Sequence, residues 1–142
     1  MKSLAHVLTQ GPTGLVFASS RGDRTALGYR DFLDLKDPIP MTSDSSFDLA
    51  SLTKIICTTR IIMELVKEGE INLIDRVSRF FPEWKGAKDG ITIEHLLRHR
   101  SGLAPWRPLY IRYQNNESAR FMVEQESLIN KVDSVRSYSD LG

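Results

Sequence analysis

The sequence is short of several things, and each shortage excludes something. There is one cysteine, Cys57, in 142 residues, so no internal disulfide can form. Cys57 lies among apolar residues and reads as a small core side chain. No run of about 18 apolar residues occurs, which excludes a membrane-spanning helix. The N-terminal stretch MKSLAHVLTQG is too short and too polar for a signal-peptide core, so the expected location is cytoplasmic. Neither charge is in surplus: 19 basic side chains face 18 acidic ones, for a net charge of +1. That balance carries no footprint for nucleic acid or an anionic membrane as partner. His6 and His95 lack carboxylate or cysteine neighbours at metal-ligand spacing, so no metal is expected, and nothing calls for a cofactor. Internal repeats and low-complexity segments are absent.

What is present fits a soluble globular chain of one-domain length. The composition is 41% hydrophobic and 26% charged, enough apolar material for a core. Residues 2–10 can form a short helix, stopped by Gly11 and Pro12. GLVFASS (14–20) and RTALGYRDF (24–32) read as two strands around the polar turn Arg21-Gly22-Asp23, hence a β-hairpin. The RGD tripeptide there is a turn sequence, because Gly and Asp are turn formers. Residues 33–46, rich in Asp, Pro and Ser, form a loop.

A helix is predicted from about Ser51 to Glu68, with Leu52, Ile55, Ile56, Ile62, Met63 and Val66 as a buried stripe and Gly69 as its stop. INLIDRVSRFFPEW (71–84) contains a short helical turn and ends at Pro82. Thr92 can cap a second helix over IEHLLRHR, with His99 and Arg100 in its last turn and Gly102 past its end. A loop with two prolines and three large aromatics follows, APWRPLYIRY (104–113). Asn116 is the expected cap of a further helix over ESARFMVEQESLINKV. SYSDLG at the end has the form of a helix start, with Ser139 or Asp140 as cap. Two strands make a poor sheet, and a helix start without its helix looks unfinished; both suggest an incomplete chain.

The stretch FDLASLTKIICTT (47–59) carries the chemistry. Lys54 stands in the first turn of the predicted helix, where a cation is disfavoured by about 0.3–1 kcal/mol. Ser51 lies three residues earlier, on the same face. A serine hydroxyl is a weak nucleophile until a base takes its proton, and a neutral lysine amine can be that base. The positive end of the helix pushes the lysine toward its neutral form. The same helix end offers backbone N–H groups to an oxyanion. A bare S-x-x-K is common, however, and taken alone it reads more readily as Ser51 capping the helix with Lys54 reaching solvent.

Order and spacing add what the bare motif lacks. FDLASLTK, LVKEGEINLIDRVSRFFPEW, ITIEHLLRHRSGL and YSDLG, in that sequence, resemble the serine β-lactamase-like family of class C β-lactamases, D-alanyl-D-alanine carboxypeptidases and related esterases. The resemblance runs over about residues 13–142. It implies an α+β fold of the β-lactamase/transpeptidase type, an antiparallel sheet with a helical subdomain. The chain then holds the hairpin (about 14–32), the nucleophile helix (about 51–68) and much of the helical subdomain (about 71–142).

The resemblance also implies roles. Ser51 is the acylated nucleophile and Lys54 its base. Tyr138 matches the tyrosine of the family's Y-x-N motif and would shuttle a proton to the leaving group. Its plainer reading is a core tyrosine ahead of a capped helix. Asp140 stands where class C enzymes have Asn. An ionised Asp cannot donate to a substrate amide, which fits an esterase or an uncharacterised hydrolase better than a β-lactamase. Asp140 and Trp106 are the candidate substrate contacts; Trp106, Tyr110 and Tyr113 would line the site mouth or pack on the surface. His99-Arg100-Ser101-Gly102-Leu103 matches the family's H-x-S-G-L stretch and reads as structural. An i, i+2 pair does not face itself on a helix, so His99 and Ser101 form no triad.

The family's third motif, K-[ST]-G or H-x-G on a later strand, is absent, so the resemblance implies the N-terminal part of a larger domain. Two readings stand. One is a serine hydrolase acting through an acyl-enzyme on a small ester or amide, weak or inactive as this chain alone. The other is a non-catalytic binding or scaffold relative of the same fold. Substrate and oligomeric state are not legible in the residues.

Overall fold

The structure is a computed structural model and describes residues 14–31, 39–111 and 115–142. The expected helix over 2–10, His6 and Tyr113 lie outside the described residues. The chain divides into two compact units, 1–50 and 51–142.

In the first unit, β1 (Gly14–Arg21) pairs antiparallel with β2 (Arg24–Asp31). The register runs from Gly14 opposite Asp31 to Arg21 opposite Arg24, which leaves Gly22 and Asp23 as a two-residue loop. Gly22 takes φ 63 there, as the first position of such a loop can require.

The second unit begins with the helix that carries Ser51 and Lys54. A π-helical turn, Lys54–Thr58, leads into α1 (Thr59–Lys67). Gly69 takes φ 77 just past the end, a conformation cheap only for glycine. The expected buried stripe is corrected. Leu52, Ile55, Ile56 and Met63 are all more than half exposed, and no residue of either segment is fully buried. The apolar face is wider than one neighbour can cover. Thr58, Ile62 and Leu65 border a cavity shared with the 71–97 region, while the other side of the stripe stays open.

The core lies in the rest of this unit. Val77, Trp84, Ile91 and Leu103 are buried together, with Phe81, Leu96, Val123, Leu128, Val132 and Leu141 packed against them. Residues 73–77 run beside 91–94. Val77 N–H donates to Ile91 (2.8 Å), Ile93 N–H to Asp75 (3.1 Å) and Glu94 N–H to Leu73 (2.9 Å). α2 (Ile93–Leu97) starts at Thr92, whose hydroxyl accepts from His95 N–H while His95 Nδ1 accepts from Thr92 N–H. This reciprocal cap satisfies two donors that a helix start otherwise leaves free.

α2 ends earlier than the sequence suggests. Arg98 is its C-cap. His99, not Gly102, is the left-handed residue after it, at φ 55. His99 N–H donates to Leu96 (3.0 Å) and Arg100 N–H to His95 (2.7 Å), the paired bonds of a Schellman turn.

α3 (Asn116–Gln125) also departs from expectation at both ends. Its cap is Asn115, whose side chain accepts from Ser118 N–H at 2.9 Å. Its end comes at Gln125 because other groups claim the chain there. Buried Lys88 donates through Nζ to the carbonyls of Val123 (2.8 Å) and Glu124. A cation at a helix C-terminus is favourable by dipole and hydrogen bond alike. Burial pushes the Lys88 pKa down against nearby Glu126 and Glu124, so these bonds matter. Lys88→Met should cost roughly 1–3 kcal/mol, the range for removing a charged donor from part-buried acceptors. The faster amide exchange it brings should be concentrated at the end of α3.

Beyond α3 the chain runs back along the 99–105 loop. Ile129 N–H donates to Gly102 (2.9 Å), Asp133 N–H to Arg100 (2.9 Å), Ser137 N–H to His99 (2.9 Å) and Asp140 N–H to Pro105 (2.8 Å). Asp133 also pairs with the Arg100 guanidinium. These bonds bring residues 138–140 to Lys54.

Candidate active site

Ser51 sits at the mouth of its helix. The residue before it, Ala50, has φ 43, a left-handed conformation that costs a non-glycine residue about 1–2 kcal/mol. Ser51 C=O accepts from Lys54 N–H at 3.1 Å, so the helix winds at once and puts both side chains on one face. Lys54 Nζ lies 3.4 Å from Ser51 Oγ. Lys54 C=O accepts from Thr59, both from its N–H and from its hydroxyl at 2.7 Å. That five-residue step is the π-turn, a distortion often found at functional sites.

The C-terminal run completes the cluster. Asp140 Oδ1 accepts from Lys54 Nζ at 2.8 Å, across 86 residues of sequence. The Lys54 ammonium also lies 5.3 Å from the centre of the Tyr138 ring. The other face of this cluster is His99, whose ring stands 4.5 Å from that of Tyr138. His99 Nδ1 accepts from Ser139 N–H at 3.3 Å. Ser139 itself is buried; its hydroxyl donates to Ala104 C=O (2.8 Å) and accepts from Leu141 N–H (3.1 Å).

Distances decide who holds the ammonium. The 2.8 Å bond to Asp140 is a strong charge-assisted one, whereas 3.4 Å to Ser51 is long. Accordingly the Lys54 pKa is raised, first by the hydrogen bond to Asp140, against the lowering effect of burial, with Tyr138 adding to the rise. The helix end still pushes Lys54 toward its neutral form, but the net shift is upward because the Asp140 carboxylate pulls the other way. The helix dipole is a local term that fades within the first turn, while the carboxylate is hydrogen-bonded directly to the ammonium. His99 is pushed the other way: burial, then the charges of Lys54 and Arg136, hold its pKa below the usual histidine value.

The sequence did not foresee two of these features. Asp140 is a candidate substrate contact in the sequence, and in the structure its carboxylate is also the counter-ion of Lys54. His99 reads as a helix end, and its ring also buttresses Tyr138. The H-x-S-G-L stretch was the available signal. Trp106 is half exposed on a loop that Asp140 N–H ties down through Pro105. Beneath the helix, a cavity of about 460 Å³ reaches from Lys54 and His99 to Phe80 and Leu96. Among the described residues, no three His, Cys, Asp or Glu side chains are grouped to hold a metal, and no helix is long and apolar enough to cross a membrane.

Comparison with known proteins gives a consistent result. The family model described as Beta-lactamase matches residues 4–142. The chain is 30% identical to a putative D-alanyl-D-alanine carboxypeptidase of Salmonella agona over 135 residues, covering 82% of this chain and 31% of that protein. It is 42% identical to Esterase EstB of Burkholderia gladioli over 72 residues, covering 47% of this chain and 18% of that protein. Among solved structures, D-amino acid amidase of Ochrobactrum anthropi superposes with a TM-score of 0.73 at 26% identity, covering 96% of this chain and 39% of that one. The fold is therefore α+β, of the β-lactamase/transpeptidase type. The chain spans about a third or less of the length of these curated relatives.

Proposed function

This chain belongs to the beta-lactamase family, and on that footing we propose that it is the N-terminal portion of a serine hydrolase domain that cleaves a small ester or amide through an acyl-enzyme. The observation that carries the reading is the cluster of Ser51, Lys54 and Tyr138 on one helix mouth. Ser51 Oγ attacks the carbonyl carbon while its proton passes to a neutral Lys54 amine. The helix N–H groups face the oxyanion. As the intermediate collapses, the bond to the leaving alcohol or amine breaks, and Tyr138 relays the proton to it. Water then cleaves the Ser51 ester. Because Asp140 holds Lys54 protonated, the neutral base is a minor form at pH 7. The rate of Ser51 acylation should therefore rise with pH toward the lysine range.

Asp140 accepts from Lys54 and, when ionised, cannot donate to a substrate amide. That favours an ester substrate over a β-lactam. The names of the relatives, an esterase, a carboxypeptidase and an amidase, support acyl transfer as the common reaction. The same ion pair is also what a non-catalytic binding relative would keep, with its serine unactivated.

Intact mass after incubation with a fluorophosphonate separates the two. The hydrolase reading expects one adduct per chain and none in Ser51→Ala. An adduct that persists in Ser51→Ala would sink the assignment of Ser51. Absence of any adduct, here and on a longer chain that includes this one, would favour the binding relative.

A further inference from the structure

His99 makes a set of contacts that a helix end does not need. It holds φ 55 without being glycine, a conformation that disfavours residues with a Cβ. Asn is the ordinary substitute for glycine at this place. What the unfavourable conformation achieves is geometric. It turns the His99 ring and carbonyl toward one short run, residues 137–139. The carbonyl accepts from Ser137 N–H at 2.9 Å, Nδ1 accepts from Ser139 N–H at 3.3 Å, and the ring packs on Tyr138 at 4.5 Å. Every residue of that run is held by a different part of His99. The run continues into Asp140, which holds Lys54.

We propose that His99 is a positioning residue, which sets Tyr138 and Asp140 against Lys54 through its left-handed backbone, its Nδ1 acceptor and its ring. Its contacts on this side go to Ser137, Tyr138 and Ser139, so it acts through Tyr138 and the 137–140 run. The consequence for acylation rests on the hydrolase reading above; the positioning itself does not, and it can be measured without any reaction.

The contact requires a neutral imidazole, since a protonated Nδ1 donates and cannot accept from Ser139 N–H. The charged and titratable groups that face His99 are Lys54 from the nucleophile helix and Arg136, Tyr138 and Asp140 from the C-terminal run. Lys54 and Arg136 disfavour a second cation, Asp140 favours it, and burial disfavours it most. The positioned state is accordingly present at neutral pH and lost as pH falls through the depressed pKa of His99.

The test is NMR of the chain carrying 13C-labelled tyrosine, with the Tyr138 ring signal assigned by Tyr138→Phe. In the unmutated chain, the Tyr138 signal should move with the same midpoint as the His99 ring, on the acid side of an ordinary histidine. His99→Gly keeps the left-handed backbone and deletes the ring, and it should carry the Tyr138 signal toward that of a free tyrosine. His99→Asn keeps an acceptor on a left-handed backbone and should recover part of that shift. A Tyr138 signal that ignores the His99 titration and is unchanged in His99→Gly would overturn the proposal, even if the unfolding temperature falls. Should His99→Gly fail to fold, the titration of the unmutated chain decides alone.

Fluorophosphonate labelling supplies the second readout. His99→Gly should slow Ser51 labelling about tenfold or more, a loss comparable to displacing one supporting hydrogen-bonded group. His99→Asn should restore most of it. Labelling that fails in the unmutated chain counts against the hydrolase reading, while the NMR shifts still judge the positioning role.

Discussion

Gly102→Ala should lower the unfolding temperature of this chain by roughly 10–20 °C. Gly102 takes φ 81, and a Cβ there would overlap the carbonyl oxygen of Asn130. Two penalties add. A left-handed alanine costs about 1–2 kcal/mol, and forcing an extra carbon into a packed site costs about 1–3 kcal/mol more. The clash cannot be relieved by turning a side chain, because its partner is backbone. Asn130 would have to move away, which strains the bonds of Ile129 and Asn130 N–H to Gly102 C=O, at 2.9 and 3.3 Å. The same run carries Leu128 and Val132 to the core. A loss of about 3 kcal/mol in a unit of this size corresponds to the stated shift. Gly69→Ala is the control. Its φ is 77, but a Cβ there meets open space, so only the conformational penalty applies. Thermal unfolding followed by circular dichroism compares the two. Equal shifts would show that close approach at Gly102 is not what demands glycine.

The contrast between those glycines shows what a sequence displays and what it hides. A glycine after an apolar helical stripe is legible as a stop, and Gly69 is one. Gly102 looks the same on paper, yet its glycine is demanded by a strand of backbone nearly 30 residues on. The hairpin was legible because two strand-like runs flank the short polar turn Arg21-Gly22-Asp23, a local signal, though Arg21 proves to belong to the first strand. Thr92 was legible as a cap for the same reason. The end of α3 was not, since it depends on Lys88, whose Nζ bonds carbonyls 35 and 36 residues away. Asn115 and Asn116 are equally good caps in sequence, and only the fold chooses between them.

The site divides in the same way. Ser51 and Lys54 are neighbours on one helix turn, so spacing brings them together. The Tyr138 position came from the order of motifs, not from any periodicity. That Asp140 pairs with Lys54 could not be read locally at all. The helix dipole is legible and pushes Lys54 toward neutral, yet the net shift is upward, because a carboxylate 86 positions away holds the ammonium.

That sign leads to the second large effect. Lys54→Met should slow fluorophosphonate labelling of Ser51 by about 10²–10⁴, the usual contribution of a positioned general base. Methionine keeps the length and apolar stem of lysine, so the fold should hold. That retained stem matters, because the Lys54 side chain is only 31% exposed. Loss of rate alone would not show that the lysine acts as base, since a cation can also help by charge. Asp140→Asn separates the two roles. The Asp140 carboxylate raises the Lys54 pKa, so its removal lowers that pKa and enlarges the neutral fraction. If the neutral amine is the reactive form, Asp140→Asn should speed labelling at pH 7 by roughly two- to fivefold. That range follows from about 0–1 kcal/mol for an ion pair this exposed. The rising limb of the pH–rate curve should move to lower pH. If Lys54 works as a cation, the same substitution leaves the rate level or lowers it.

Stability should move the opposite way. A lysine whose folded pKa is raised contributes stability that is present below its unfolded value and lost as pH rises through the folded one. Asp140→Asn should therefore lose up to about 1 kcal/mol at neutral pH and nothing at strongly alkaline pH. A variant that labels faster while unfolding more easily would place Asp140 as a brake on the base it holds. A variant that is slower and less stable would make Asp140 part of the scaffold that aims Lys54 at Ser51.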